Sequence, residues 1–319
     1  MWEIINFFLL LVIILVIILI FVLALVYYYK IKAYVDDAID HIGSLIPIFN
    51  PYDYSDIMYP EISLEDLKTE NFNIKIGLLL CNVNMSTYNI FSKFDPRLPD
   101  NIKLHRTIGD NCYIYKYSLP GVPQIRIFSF RGTRTGDDVI TDLDSIQSEM
   151  SGYDDKILVH RGFYRMWVQY KDEFKSYLKN KITDDTIILV TGHSLGCAGA
   201  IFTSLLIKSY INKDSSLYMF APPRIGNHHL IQKLDQEISN NYAIINVPDF
   251  VPTLPPMALP TRGDTWVYEN FSNRYLIDYQ MGSVTLNHRL DTYICGLNEK
   301  LEFCKEPIWK KVPTLITTV

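Results

Sequence analysis

The chain has 319 residues, 48% of them apolar, and a formal net charge of −5. That is long enough for one large core and far from the composition of a disordered tail. With no Lys/Arg block beyond scattered pairs, it carries no electrostatic footprint for nucleic acid, and that partner class is set aside.

At the N-terminus, residues 7–26 form an unbroken apolar run of 20 residues, which as a helix spans ~30 Å, the hydrocarbon thickness of a bilayer. Trp2 lies on one side of it and Tyr27, Tyr28 and Tyr29 on the other, at the depth where amphipathic rings meet headgroups. A cleaved signal peptide is the competing reading, but it would carry a positive start and a small-x-small cleavage site. Here the start holds Glu3 with no Lys or Arg, and Ala24 has no small partner two residues away. The expectation is an uncleaved transmembrane anchor over 1–29, a tether over 30–60 interrupted by Pro47, Pro51 and Pro60, and one domain over 61–319.

Lys30 and Lys32, the only basic residues close to the apolar run, favour the cytoplasmic side for that domain. Cys81, Cys112, Cys197, Cys295 and Cys304 are odd in number and lack CxxC spacing. Neither a disulfide framework nor a zinc site is expected from them, and they suit a reducing compartment. Asn84-Met85-Ser86 and Asn270-Phe271-Ser272 are sequons, open to glycosylation if the domain faces a lumen.

Residues 66–86 have apolar positions at helical spacing and predict an amphipathic helix packed on the domain. Beyond it, β-rich runs at 113–117, 125–130, 187–191, 217–220 and 243–247 alternate with helical stretches at 162–178 and 195–210. That alternation predicts an α/β fold, a mainly parallel central sheet with helices on both faces. Residues 265–279 alternate more like antiparallel strands at the sheet edge. There is no internal repeat.

Gly192-His193-Ser194-Leu195-Gly196 matches G-x-S-x-G, a pattern of weak specificity alone that gains weight from its flanks. The apolar run 187–191 precedes it as a buried-type strand, and Cys197-Ala198-Gly199-Ala200 follows as the small-residue start of a helix. A serine at such a turn adopts a strained backbone that lifts its Oγ above the sheet, and glycines on either side avoid collisions. The Leu195 N–H then lies at a helix N-terminus, where an oriented donor and the helix dipole stabilise a developing oxyanion.

Where a sheet carries this elbow, an Asp or Glu follows the serine and a His follows both. His228 and His229 come too early, directly after Gly226-Asn227, which leaves His288. Asp249 lies just past the C-terminal end of the 243–247 strand, where open α/β sheets put functional residues, in a loop stiffened by Pro248, Pro252, Pro255 and Pro256. Asp264, Asp278 and Asp291 are the alternatives for the acid. His41, His105, His160 and His193 read as packing or surface residues. The second oxyanion donor is expected after the 125–130 strand, at the Thr133 N–H, with Gly132 allowing close backbone approach.

Six separated motifs now stand in order: Phe130-Arg131-Gly132-Thr133, His160-Arg161-Gly162-Phe163, Thr191-Gly192-His193-Ser194-Leu195-Gly196, Pro223-Arg224-Ile225-Gly226-Asn227, Asp249-Phe250-Val251-Pro252 with Leu254-Pro255-Pro256, and His288 with Tyr293. Over residues 127–293 the chain resembles the class 3, or fungal-type, lipases of the α/β-hydrolase superfamily. The resemblance implies Ser194, Asp249 and His288 as a triad, Thr133 and Leu195 as the oxyanion hole, and a lid over 134–144. It implies a serine esterase acting on lipid esters through an acyl-enzyme, with no metal or cofactor. Two departures stand out. Cys197 replaces the family's usual glycine, and the lid-equivalent segment, with Asp137, Asp138, Asp142 and Asp144, is poorer in apolar residues than a helix built to open onto oil. A small-ester esterase or acyltransferase with the same triad, and a catalytically silent membrane scaffold, are the rival readings. Fold alone never establishes activity.

Overall fold

The structure is a computed structural model that describes residues 59–89, 98–132, 145–260, 265–298 and 304. The expected anchor over 1–29, nearly all of the tether, Thr133 and the 134–144 segment lie outside the described residues. Among the described residues, no helix is long and apolar enough to cross a membrane.

Helix α1 (Leu64–Lys68) starts at a capping box: Ser63 Oγ accepts the Asp66 N–H at 3.2 Å, and Asp66 Oδ2 accepts the Ser63 N–H at 2.9 Å. Asn73 Oδ1 then accepts the N–H groups of Lys75 and Ile76 and begins α2 (Ile74–Asn89). The single amphipathic helix expected over 66–86 is therefore two, because a second capping side chain restarts the turn. Residues 76–87 of α2 are buried on every side. The Asn84 sequon falls there, wholly inaccessible, with Nδ2 donating to Ser129 Oγ at 3.0 Å and to Phe130 O at 2.9 Å.

Strands β1 (Ile102–Ile108), β2 (Cys112–Tyr117) and β3 (Gln124–Phe130) form an antiparallel meander. A small ladder of β4 (Gln147–Glu149) and β5 (Leu158–His160) leads into α3 (Arg161–Val168) and α4 (Lys171–Lys181). Then come β6 (Thr186–His193), α5 (Gly196–Ile211), β7 (Ser216–Phe220), α6 (His228–Glu237) and β8 (Asn241–Asn246). A hairpin of β9 (Ala258–Pro260) and β10 (Thr265–Val267), strand β11 (Arg274–Ile277), α7 (Val284–Asn287) and α8 (Leu290–Leu297) follow. The seven-stranded sheet has the order β1-β2-β3-β6-β7-β8-β11 and is parallel from β3 onward.

Strands β3 and β6 read as continuous apolar runs because helices cover both faces of the sheet. On one face Phe128, Phe130, Ile188 and Val190 share a cluster with Trp167, Phe174, Ile201 and Phe202. On the other, Ile125, Ile127 and Leu189 share one with Leu79, Leu80 and Tyr293. Full burial of each such side chain contributes about 1.5–3 kcal/mol. This is the α/β architecture the alternating pattern predicts.

Three details differ from that pattern. The helix expected over 162–178 breaks after Val168, where the Tyr170 N–H turns back to Trp167 O at 3.0 Å and Trp167 Nε1 is tied to Thr203 Oγ1 at 2.9 Å. Tyr170 packs under Gly109, whose φ is +56° and whose missing Cβ would meet the tyrosine ring at 2.6 Å, so tertiary contact overrides helix continuation. Within 265–279 only β10 is antiparallel, in its own hairpin, whereas β11 joins the sheet parallel to β8. Finally, Cys295 on α8 is disulfide-bonded to Cys304, contrary to the sequence expectation. A separation of nine residues matches no spacing motif, and only the fold brings the two together. The remaining cysteines, Cys81, Cys112 and Cys197, are buried and free, and burial raises all three thiols well above their ordinary range.

Replacing both Cys295 and Cys304 by Ser removes a cross-link over a short loop, for which chain entropy gives about 2–3 kcal/mol. The urea midpoint of the double variant is expected to fall to that of the reduced wild type; a midpoint equal to that of the oxidised protein would show that the bond does not form.

Candidate active site

At the C-terminal edge of the sheet, β6 ends at His193 and α5 begins at Gly196, leaving Ser194 at the turn with φ of +55°. For a residue with a Cβ that region costs about 1–2 kcal/mol, and neighbouring contacts hold it. The Ser194 N–H donates to Phe220 O at 2.9 Å, and Ser194 O accepts the Cys197 N–H at 3.0 Å. A Cβ on Gly192 would lie 2.6 Å from Gly196 O, and one on Gly196 would run into the Phe130 carbonyl. These two glycines let the turn close against β3. Cys197 keeps its thiol behind the turn, donating to Phe220 O at 3.3 Å, so one carbonyl receives both the serine amide and the departing cysteine. The Ser194 side chain is buried without a hydrogen-bond partner among the described residues, and the Leu195 N–H likewise has none there.

Asp249 follows β8, its N–H donating to Asn246 O at 2.9 Å. Its side chain is 0% exposed and receives three donors. Oδ1 accepts the Val251 N–H at 2.9 Å, while Oδ2 accepts the Tyr293 hydroxyl at 2.7 Å and His288 Nδ1 at 2.8 Å. Three donors around one acid suit an ionised carboxylate. With its Nδ1–H given to Asp249, His288 is left with Nε2 as a proton acceptor. Burial, then the nearby Asp249 charge, pushes the Tyr293 hydroxyl well above its ordinary range, so it stays protonated and donates.

Two buried asparagines fix these segments. Asn246 Nδ2 donates to Tyr279 O at 3.0 Å and Asn287 O at 3.1 Å, and its N–H donates to the Tyr293 hydroxyl at 3.1 Å. Asn287 Nδ2 reaches Pro248 O at 3.2 Å, and its Oδ1 accepts the Met281 N–H at 2.7 Å. Arg224 braces the acid's loop from outside. Its guanidinium donates to the Thr253 and Pro255 carbonyls and to Asn270 Oδ1.

A second network joins the other wall of the site to His288. The Gly132 N–H can only donate, so Tyr88 accepts it at 2.8 Å and gives its own proton to His193 Nδ1 at 2.7 Å. His193 must then carry its proton on Nε2, which donates to His288 O at 2.8 Å. Burial, and then His288 nearby, holds His193 well below the usual histidine range, consistent with the neutral tautomer this order requires. A Cβ on Gly132 would fall 2.8 Å from the Tyr88 hydroxyl and 3.1 Å from Ser194 Cβ, so the network and the close approach both need glycine there.

The structure thus brings Asp249 and His288 together and sets His193, the serine's neighbour, against His288. Thr133 lies outside the described residues. Among the alternatives for the acid, Asp278 is exposed and Asp291 is paired with Arg289 at 2.7 Å, while Asp264 is not described. His160 caps α3 and stacks on Phe163 at 3.7 Å. His228 is largely exposed at the start of α6. Sequence reasoning missed Tyr88, Asn246, Asn287 and the active role of His193. The run Asn82, Asn84, Ser86, Thr87, Tyr88 on a helix that must be buried was the available sign of a polar network.

A strand–serine–helix elbow at the C-terminal edge of a mainly parallel sheet, with an Asp–His pair set against the elbow's His193, is the arrangement of the α/β-hydrolase fold. Residues 127–259 match the model of the class 3 lipase family, a stretch that holds Ser194 and Asp249 and ends before His288. That match spans less than half of the chain and marks a resemblance to the class 3 lipases over that stretch. A secreted mono- and diacylglycerol lipase of Malassezia globosa is 34% identical over 122 residues, 35% of this chain and 38% of the relative. One of Penicillium cyclopium is 27% identical over 135 residues, 42% and 44% of the two chains. The chain therefore spans about two-fifths of the length of these relatives. Among solved structures, a deletion mutant of the Rhizomucor miehei lipase propeptide complex superposes with a TM-score of 0.53 at 17% identity, over 64% of this chain and 67% of that one. At that identity the likeness speaks for the fold alone.

Tyr293→Phe removes one donor from Asp249 and strands the buried Asn246 N–H. A loss of about 1–3 kcal/mol in urea unfolding is expected; an unchanged urea midpoint would mean that the hydroxyl does not hold Asp249. His193 generates a pH effect. Its folded value is depressed, so below the unfolded value of about 6.5 the unfolded chain binds a proton that the folded one refuses, and stability falls as pH drops. The urea midpoint should decline from pH 8 to 5, and His193→Gln should flatten that decline; equal slopes would argue against a neutral buried His193.

Proposed function

We propose that the protein is a membrane-anchored serine hydrolase, a lipase that cleaves carboxylic ester bonds of glycerolipids through Ser194, His288 and Asp249. The observation that carries this reading is the Asp249–His288 pair, 2.8 Å apart, whose imidazole lies 4.7 Å from that of His193, the neighbour of a serine held at positive φ between strand and helix. Ser194 Oγ attacks the ester carbonyl while His288 Nε2 takes its proton, and Asp249 holds the imidazole in the tautomer that leaves Nε2 open. The oxyanion is met by the Leu195 N–H at the start of α5 and by the Thr133 N–H. His288 returns the proton to the leaving alcohol, an acyl-enzyme remains, and water activated by the same base releases the acid.

The substrate class rests on the relatives' names, mono- and diacylglycerol lipases, and on the rim of the site. Val247 and Phe250, flanking Asp249, and Val284, just before His288, are 60%, 55% and 63% exposed, offering apolar side chains to an apolar substrate. The apolar run 7–26 supplies the membrane anchor, with a tether over 30–60 and the hydrolase domain over 61–319. Disulfides persist in oxidising compartments. The Cys295–Cys304 bond therefore weighs for an extracytoplasmic domain and against the cytoplasmic side favoured by Lys30 and Lys32.

Labelling of the full chain with a fluorophosphonate tests the reading. Label is expected on wild type, absent in Ser194→Ala, and weaker by about 10²-fold or more in His288→Ala and Asp249→Asn. A folded wild type that takes no label would overturn it in favour of a silent scaffold.

A further inference from the structure

Of the two sequons, the fold has removed one. Asn84 is wholly buried with its amide nitrogen committed to two acceptors. Asn270 differs in every respect that matters to an amide nucleophile. It lies in the loop between β10 and β11, with Ser272 exposed two residues on. Its Oδ1 accepts Arg224 Nε at 2.9 Å. Among the described residues Nδ2 makes a single contact, 3.8 Å from the Met257 thioether on the exposed side.

We propose that Asn270 is an N-glycosylation site and that the glycan sits on Nδ2 without disturbing the loop that carries Asp249. The linkage forms between Nδ2 and the anomeric carbon of a lipid-pyrophosphate-linked oligosaccharide. The bond from that carbon to the pyrophosphate oxygen breaks, the lipid pyrophosphate leaves, and one amide proton goes to the transferase's base. The product keeps Oδ1 as an acceptor, so the Arg224 brace to the Thr253 and Pro255 carbonyls survives modification. Beside Asn270 an open polar trough, lined by His228, Gln232, Asp235, Glu269, Ser272 and Arg274, offers hydroxyl-binding partners to the first sugar. An independent observation points to the same compartment. The Cys295–Cys304 bond marks an oxidising environment, which in a secretory pathway is also where such oligosaccharides are transferred. The proposal needs neither catalysis nor the triad, and its failure leaves the lipase reading intact.

The full chain is translated in the presence of endoplasmic-reticulum microsomes and then treated with peptide N-glycosidase. One glycan is expected on wild type and on Ser86→Ala, and none on Ser272→Ala, which leaves the Arg224–Asn270 bond in place. Asp214→Asn serves as a reporter of sidedness, because the Asp214 side chain is 86% exposed and the change completes an Asn-x-Ser triplet with Ser215 and Ser216. Wild type with one glycan and Asp214→Asn with two supports the proposal. Asp214→Asn glycosylated over an unmodified wild type overturns it at the site, and neither glycosylated overturns it at the compartment. A glycan that persists in Ser272→Ala and vanishes in Ser86→Ala overturns it in favour of modification at Asn84 before folding.

Discussion

Burying a carboxylate in a protein edge costs several kcal/mol unless its oxygens are met by donors, and Asp249 is 2% exposed. Much of the sheet's C-terminal edge can be understood as the solution to that one requirement. One donor is local, the Val251 amide of the same loop, and two come from a stretch 39 and 44 residues further on, His288 at the end of α7 and Tyr293 on α8. Each must be brought there and kept there. Asn246 and Asn287 do so by tying the end of β8 to the Tyr279 and Asn287 carbonyls and to the Pro248 carbonyl. Because a half-satisfied buried network is worse than none, these residues hold the loop, α7 and α8 in a common register. Satisfying the acid also orients the imidazole.

The opposite wall is built by a different physical device. There the constraint is steric: Gly132, Gly192 and Gly196 permit approaches that any Cβ would forbid, and the strained serine is the residue left at the point of closest contact. Tyr88 and His193 join this wall to His288, since a single direction of proton donation runs from the Gly132 amide to the His288 carbonyl. His288 is thus held by its ring from Asp249 and by its backbone carbonyl from His193. Under the proposed reading, such preorganisation leaves little reorganisation for a reaction to pay for.

The sheet core was readable from the chain because β3, β6 and β7 are local apolar runs whose covering on both faces needs no polar alternation. The elbow was readable because its glycines and serine are contiguous. Asp249 and His288 were singled out by elimination along the chain, and the fold pairs their side chains at 2.8 Å. What escaped has distance in common. Tyr88 is 105 residues from His193, and Tyr293 is 44 from Asp249, so no window of sequence holds both partners. The break after Val168 depends on Thr203 and on Gly109, neither near in sequence. Strand β1, Ile-Lys-Leu-His-Arg-Thr-Ile, has only its two ends buried, and an edge strand wet along most of its length leaves little apolar pattern to find. Strand β11 was seen as an edge strand with the wrong direction, because alternation reports a half-exposed strand and says nothing about which way it runs.

The disulfide links the question of compartment to the geometry of the site. Helix α8 carries both Tyr293, which holds the acid, and Cys295, which is bonded to Cys304. From Cys304 the connection returns: its carbonyl accepts the Tyr279 hydroxyl at 2.6 Å, Tyr279 pairs through its backbone with the Asn246 side chain, and the Asn246 amide donates to the Tyr293 hydroxyl. The cross-link therefore closes a circuit around the segment that positions Asp249, rather than stapling a remote tail. In an oxidising compartment that circuit is covalent. In a reducing one it would rest on hydrogen bonds alone, and the register of α8 against β8 would be the first thing to loosen.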